Sequence, residues 1–378
     1  MTQCQAQHDI VSLSGLTRQS FNRLPMERDY TKPIFFVLLF FAFILMGFLC
    51  KVLSSVLIPV AIAILMALAF YPLVRNLEVK AKINWLVGSL LTVFVIIVVL
   101  FFASGILVKG FSTIASEYSK YESRFMSIYK MIAQQFNLAI DEEKSFANNM
   151  WNILEVRKYI QEFALGLSSG VLSFSKSLLL ILIMFSFLLI EIKSFKRRIT
   201  NSVKDENKQT VLNISQQIGE DVVRFLSIKF FISLATGVLV YLAALIIGLD
   251  FPIVWAFIAF LMNFIPTFGS IISTLFTTIF ALLQFYPHYG KVIFVFLFMI
   301  AVNFILGQIL EPRIEGERLG LSPFAILVSL ALWGYIWGFI GMILAVPMTV
   351  IIKIFCENIP YLNFVSVILG NKRTITKK

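Results

Sequence analysis

The stretch "GLDFPIVWAFIAFLMNFIPTFGSII", Gly248 to Ile272, is answered further along the chain by "GLSPFAILVSLALWGYIWGFIGMILAVP", Gly320 to Pro347. Both open on Gly-Leu and an acid or serine, with a proline within two more residues. Each then runs through apolar residues to a break rich in Gly, Pro and aromatics, Asn263 to Gly269 in one and Trp333 to Gly341 in the other. Such a break strips backbone groups of their helical partners, which hydrocarbon tolerates only where protein or a water-lined cavity satisfies them. The runs that hold the breaks, Phe251 to Tyr286 and Pro323 to Ile354, each exceed thirty residues. That is long for one crossing and short for two. Each run is therefore either a re-entrant helical hairpin with its tip at the break or a single tilted or kinked span. Pro266 and Gly269, near the middle of the first run, favour the hairpin. One span between them, Val292 to Leu310, carries the chain across once, so the hairpins open on opposite sides. Inverted, broken helices meeting near the midplane are an architecture of secondary transporters.

The rest of the chain agrees with a membrane setting. Of 378 residues, 59% are apolar and only 14% charged, and 39 are phenylalanine, which excludes an ordinary soluble domain. The apolar runs are continuous rather than alternating, which argues against an outer-membrane barrel. The expected fold is all-α: a polytopic helical membrane protein of about 6 to 8 membrane segments, including the two inverted re-entrant hairpins. The net charge of +11 is spread through segments that flank apolar runs. This is the positive-inside pattern, and no nucleic-acid module accompanies it. Cys4, Cys50 and Cys356 are odd in number and far apart, so no disulfide framework is implied.

Charge also orients the loops. A cytoplasmic N-terminal segment (1–32) precedes three spans within 33–108, the first of them read as retained, since no cleavage site follows it. An amphipathic extracytoplasmic segment (109–168) follows, with Phe111, Ile114, Tyr118, Tyr121, Phe125, Ile128 and Ile132 at helical spacing and a second stripe at Trp151, Leu154, Tyr159 and Phe163. Such stripes pack on each other or on the outer membrane surface, or meet a partner helix in an oligomer. A fourth span (169–192) returns to a basic loop and helix (193–229) carrying Lys193, Lys196, Arg197, Arg198, Lys204 and Lys208. The helical pattern from Val211 to Phe225 continues into a fifth span, so one long helix rises into the membrane. The core with the broken helices (230–356) and a basic tail (357–378) complete the chain, both termini lying in the cytoplasm.

Charges concentrate in "NFILGQILEPRIEGERLGLSPF", Asn303 to Phe324. Glu311 is the acid nearest an apolar run, preceded at helical spacing by Asn303, Gly307 and Gln308. An ionisable group at mid-depth costs at least ~2.5 kcal/mol, which makes it a functional candidate. Two readings remain open: Glu311 pairs with Arg313 or Arg318 as a latch at a helix end, or it faces a cavity and exchanges a proton or cation. Pro312 is expected to end the helix. No phosphate-binding Gly-Lys-Ser/Thr loop, metal-ligand spacing or nucleophile with a histidine base occurs, so no catalytic residue, cofactor or metal is expected.

These motifs resemble the autoinducer-2 exporter family (AI-2E, or PerM-like permeases) of bacterial membrane proteins. The resemblance spans nearly the whole chain, and its distinctive motifs are "GLDFP", "NFIPTFGSII", "GQILEPRIEGERLGLSP" and "WGFIGMILAVPMTVIIK" in that order. It gives weight to Asn263, Gln308 and Glu311, which together with Asn303 and Arg313 are the residues expected on a transport path or in coupling. Pro266, Gly269, Pro312, Gly316, Gly320, Pro323, Gly338, Gly341 and Pro347 become hairpin breaks or hinges. It implies export of a small molecule through the bacterial inner membrane, the quorum signal autoinducer-2 being the named case, and assembly into homo-oligomers. Other members resemble sodium or lithium/proton antiporters, which makes a proton or monovalent cation an alternative partner. A non-transporting scaffold is the rival of another class. The expected partners are thus the lipid bilayer, a small solute and copies of the chain.

Overall fold

The computed structural model describes residues 31–116, 177–194, 205–315, 320–359 and 362–370, with Arg198 and a few positions between 120 and 131. Of the amphipathic stripes of the 109–168 segment, Phe111, Ile114, Tyr121 and Ile128 fall among these residues and the others outside them. The chain divides into two compact units, Met1–Val52 and Leu53–Lys378. The first contributes α1 (Thr31–Val52), apolar on every side, as a span must be.

In the second unit the helices are α2 (Ser54–Ala81), α3 (Trp85–Ser116), α4 (Ser177–Ser194), α5 (Asp205–Ile247), α6 (Pro252–Met262), α7 (Phe268–Phe285) and α8 (Tyr289–Asn303). A π-helix (Phe304–Leu310), α9 (Glu311–Glu315), α10 (Pro323–Asn358) and α11 (Asn363–Leu369) follow. Among the described residues seven helices are long and apolar enough to cross a membrane. Large apolar side chains such as Phe101, Phe187, Phe231 and Ile246 point outward, while Ser89, Lys229, Ser233 and Asn263 are buried. This reversal of the soluble pattern is what a lipid solvent selects.

Between helices in lipid, packing and hydrogen bonds replace the hydrophobic drive, each bond contributing on average about 0.6 kcal/mol. α2, α3 and α4 form one packed group around Ala67, Val74, Val93 and Phe185. Trp85 Nε1 donates to the Leu189 carbonyl at 3.1 Å, and Lys193 pairs with Glu78 at 2.6 Å where that group ends. α5 is the spine: its 43 residues extend about 65 Å, twice the hydrocarbon thickness of ~30 Å.

Both over-long runs double back. Trp255 of α6 lies against Phe280 of α7, ring centroids 4.8 Å apart, and the Asp250 N–H donates to Gln284 Oε1 at 2.7 Å. α10 breaks at Gly338, whose φ of 63° and ψ of −142° belong to glycine. Beyond it the chain reverses, so that Ser329 Oγ donates to the Ala345 carbonyl at 3.0 Å and meets the Thr349 hydroxyl. In a straight helix sixteen residues would separate those groups by about 24 Å. The two turns share a device. A Cβ at Gly269 would overlap the Met262 carbonyl, and one at Gly341 the Trp333 carbonyl, so each glycine packs against a carbonyl in the last turn or so of the first leg. Ile265, at the first tip, belongs to one core cluster with Leu330, Trp333, Trp337 and Leu344 of α10.

One expectation fails. Pro312 does not end the helix: Arg313, Ile314 and Glu315 remain helical after it. A proline disturbs the preceding turn by lacking an N–H and crowding the carbonyl four residues back. Here that turn is the π-helix, whose bonds reach five residues, as from the Glu311 N–H to the Leu306 carbonyl, and the proline is absorbed.

Candidate functional site

On α5 the buried positions Val222, Phe225, Lys229, Ser233 and Thr236 recur at helical spacing, whereas Phe230, Phe231 and Leu234 are exposed. Lys229 therefore sits on the inner face, its side chain only 4% exposed, and its Nζ meets Glu311 Oε1 at 2.6 Å. Glu311 is 14% exposed at the end of the π-helix. Its partner is thus Lys229, 82 residues away in sequence, and not Arg313, which is exposed on α9. Arg318 and Gly316 lie outside the described residues.

The pair closes one side of a cavity of about 150 Å³. The first hairpin tip supplies Asn263, Ile265, Pro266, Thr267 and Ser270; the crossing helix supplies Asn303, Gly307, Gln308 and Glu311. The wider π turn turns Gly307, Gln308 and Glu311 toward the cavity together, and a Cβ at Gly307 would meet nothing within 4 Å, so the missing side chain is open space. Asn263 Nδ2 donates to Ser233 Oγ at 3.1 Å, tying the tip to α5. Asn303 Nδ2 donates to Thr274 Oγ1 at 3.0 Å and to the Ser270 carbonyl at 3.5 Å. One ammonium, one carboxylate, carboxamides and hydroxyls face a small volume, a donor and acceptor set suited to a polar solute. Among the described residues no group of three or more His, Cys, Asp or Glu could hold a metal ion.

Of the residues expected on the path the cavity gathers Asn263, Asn303, Gln308 and Glu311 but not the exposed Arg313, and of the expected breaks it takes in Pro266. The others serve the backbone. Gly269 and Gly341 allow the two tight turns, Gly338 breaks α10, and Gly320 turns into it with φ 56°. Pro323 opens α10 behind Ser322, whose Oγ accepts the Ala325 N–H at 3.1 Å, and Pro347 is buried in the second leg. Sequence reasoning missed Lys229, Ser233, Ser270, Thr274 and the π-helix. Lys229 carried a signal, being a cation between two apolar stretches in register with Val222 and Phe225.

At the other end of α7, Asp250 accepts bonds from Lys120 Nζ at 2.8 Å and from the Tyr121 hydroxyl. Burial pushes its carboxyl up, but those two bonds and the charges of Lys120 and Arg124 outweigh it and hold it below the ordinary aspartate value.

Helices with lipid-type exteriors around a buried ion pair and a polar cavity define a multi-pass membrane protein with a solute-sized internal site. The chain belongs to the AI-2E transporter family: residues 34–361 match what is described as "AI-2E family transporter". A Borreliella burgdorferi protein named "Putative transport protein" is 35% identical over 58% of this chain and 60% of its own length. A Haemophilus influenzae protein of the same name is 28% identical over 85% of this chain and 92% of its own. The Escherichia coli K12 protein named AI-2 transport protein TqsA is 24% identical over 80% of this chain and 86% of its own.

Proposed function

We propose that the protein is a secondary transporter that exports a small polar molecule of the autoinducer-2 type across the bacterial inner membrane, with the Lys229–Glu311 cavity as its solute site. The observation that carries this reading is the cavity itself, about 150 Å³, polar, and assembled from a hairpin tip and a π-helix. A packed scaffold would have no need of that volume or of a buried ion pair beside it. The AI-2 transport protein among the relatives supports the solute class. In this reading α6–α7 and the two legs of α10 are re-entrant hairpins entering from opposite faces. Both termini lie in the cytoplasm, because the basic cluster around Lys193 and Arg198 belongs there. Lys229 is eighteen residues before Ile247, about 27 Å along α5, which supports a site close to the cytoplasmic edge of the hydrocarbon rather than at the midplane.

Cation/proton antiport is the second reading, favoured by one feature: the Glu311 carboxylate is held by an ammonium, whose place a monovalent cation can take. Purified protein in liposomes separates the alternatives. Flux is measured for autoinducer-2, sodium and lithium, with and without a pH gradient. Autoinducer-2 flux that needs neither added cation nor a pH gradient supports the exporter; cation-driven proton movement abolished by Glu311→Gln supports the antiporter. No flux of any of them from folded wild-type protein would overturn both in favour of a scaffold.

A further inference from the structure

Resting on the transport reading, we infer that solute leaves the Lys229–Glu311 cavity along one face of α7, past Thr274 and Thr277, to emerge beside Gln284 and Asp250. α7 is amphipathic in the reverse sense. Its buried residues are Gly269, Ser273, Thr274, Thr277, Ala281 and Gln284, small or polar, closed at the last position by Phe285, while Phe268, Ile271, Leu275, Phe276 and Ile279 are exposed. Ser270 lines the cavity at one end of that face. At the other end Gln284 donates to the Gly248 carbonyl and accepts from the Asp250 N–H, both at 2.7 Å. Fourteen residues separate Ser270 from Gln284, about 21 Å, most of the hydrocarbon thickness.

Small hydroxyl residues also let helices approach closely, so the stripe alone decides nothing. Thr277 decides it. Three other buried threonines return their proton to the carbonyl one turn back: Thr92 to Gly88, Thr236 to Ile232 and Thr349 to Ala345, at 2.8 to 2.9 Å. Thr277 is 1% exposed, yet its Oγ1 has no partner within the protein, a state it shares among the described residues with the buried hydroxyls of Ser89 and Thr278. Thr277 lines a narrow void of about 10 Å³ between α5, α7 and α8 through apolar atoms, together with groups such as Val240, Leu249, Val295 and Met299. A hydroxyl left unbonded in a dry apolar seam is destabilising, by about 1–3 kcal/mol. It is explained if the seam opens and the hydroxyl meets a polar solute or its water there. The Asn303–Thr274 bond lies between this void and the cavity and closes the route in the state described.

The route is tested by thiol labelling, which needs no knowledge of the solute. Single cysteines replace Thr274, Thr277, Ala281 and, as lipid-facing controls, Leu275 and Ile279, in a chain whose own three cysteines are changed to alanine. The protein, in native vesicles, is exposed to a charged methanethiosulfonate reagent that reacts only with hydrated thiolate. Positions 274, 277 and 281 should react at least about tenfold faster than 275 and 279. Equal, slow reaction at all five overturns the route. Equal, fast reaction at all five overturns it too, because the seam is then no more hydrated than the lipid face. Flux provides the second readout: Thr277→Ser should retain wild-type autoinducer-2 transport and Thr277→Phe abolish it. Full flux through Thr277→Phe overturns the route while leaving the transport reading intact, and a wild-type protein without flux overturns that reading on its own.

Discussion

An ammonium and a carboxylate buried together are tolerable only as a pair, since removal of either leaves a charge without solvation. Lys229→Met should therefore lower stability by about 3–5 kcal/mol, and Glu311→Leu by a similar amount. The double variant should recover most of the loss, its side chains being apolar and of like volume. Thermal unfolding of the three variants in one detergent checks this, and strictly additive losses would show that the 2.6 Å contact is not an energetic unit. Asp250 behaves differently because it lies outside the spans. Its folded value is depressed, so its contribution is complete above the ordinary aspartate range near ~4 and is lost as pH falls through the folded value. The stability difference between wild type and Asp250→Asn should be flat from neutral pH down to about pH 5 and shrink in more acidic solution. A difference that grows on acidification would reverse the sign. At this scale the sequence was only half legible. Glu311 stood out because it ends an apolar run, whereas Lys229 merged with the basic residues that mark the cytoplasmic side, and only its register with Val222 and Phe225 sets it apart.

Helices were easier to read than their turns. Apolar runs long enough to span a bilayer announce themselves, and α2, α3 and α8 start close to where those runs begin. The breaks at Asn263 to Gly269 and Trp333 to Gly341 were visible as clusters of Gly, Pro and aromatics. What no periodicity revealed is the π-helix, because its residues are the same types an α-helix would use and its wider turn depends on packing around the cavity. Pro312 was misread for that reason. The paired glycines make a sharp prediction. Gly269→Ala and Gly341→Ala each drive a Cβ into a carbonyl of the opposing leg and should abolish recovery of monodisperse folded protein. Gly105→Ala, in α3 with nothing within 4 Å of the added carbon, should be neutral or stabilising by up to about 1 kcal/mol through helix propensity. Size-exclusion profiles in detergent compare the three. Folded Gly269→Ala or Gly341→Ala protein would mean that the turns are looser than the packing implies.

Over the whole molecule the two hairpins are related by the crossing helix Tyr289–Glu315. The first precedes its start and has its own ends joined by the Asp250–Gln284 bonds; the second follows its end and is tied back where the Ser322 N–H donates to the Leu369 carbonyl at 2.9 Å. In the proposed reading they therefore sit at opposite ends of one span and open on opposite faces of the bilayer. Single cysteines at Asp250 and Pro287 should both react with a membrane-impermeant thiol reagent added outside, and cysteines at Arg313 and Ile359 only after access from the cytoplasm. If Asp250 and Pro287 label from opposite faces, α6–α7 crosses the membrane once, and the cavity would no longer be formed by a hairpin tip. If instead all four label from one face, the crossing helix does not cross, and the inverted relation between the hairpins is lost. The expected pattern requires the chain to double back twice and cross once between. It would also place Asp250 and the Lys229–Glu311 pair near opposite surfaces, so that a solute bound at the pair must travel nearly the full depth of the hydrocarbon to leave.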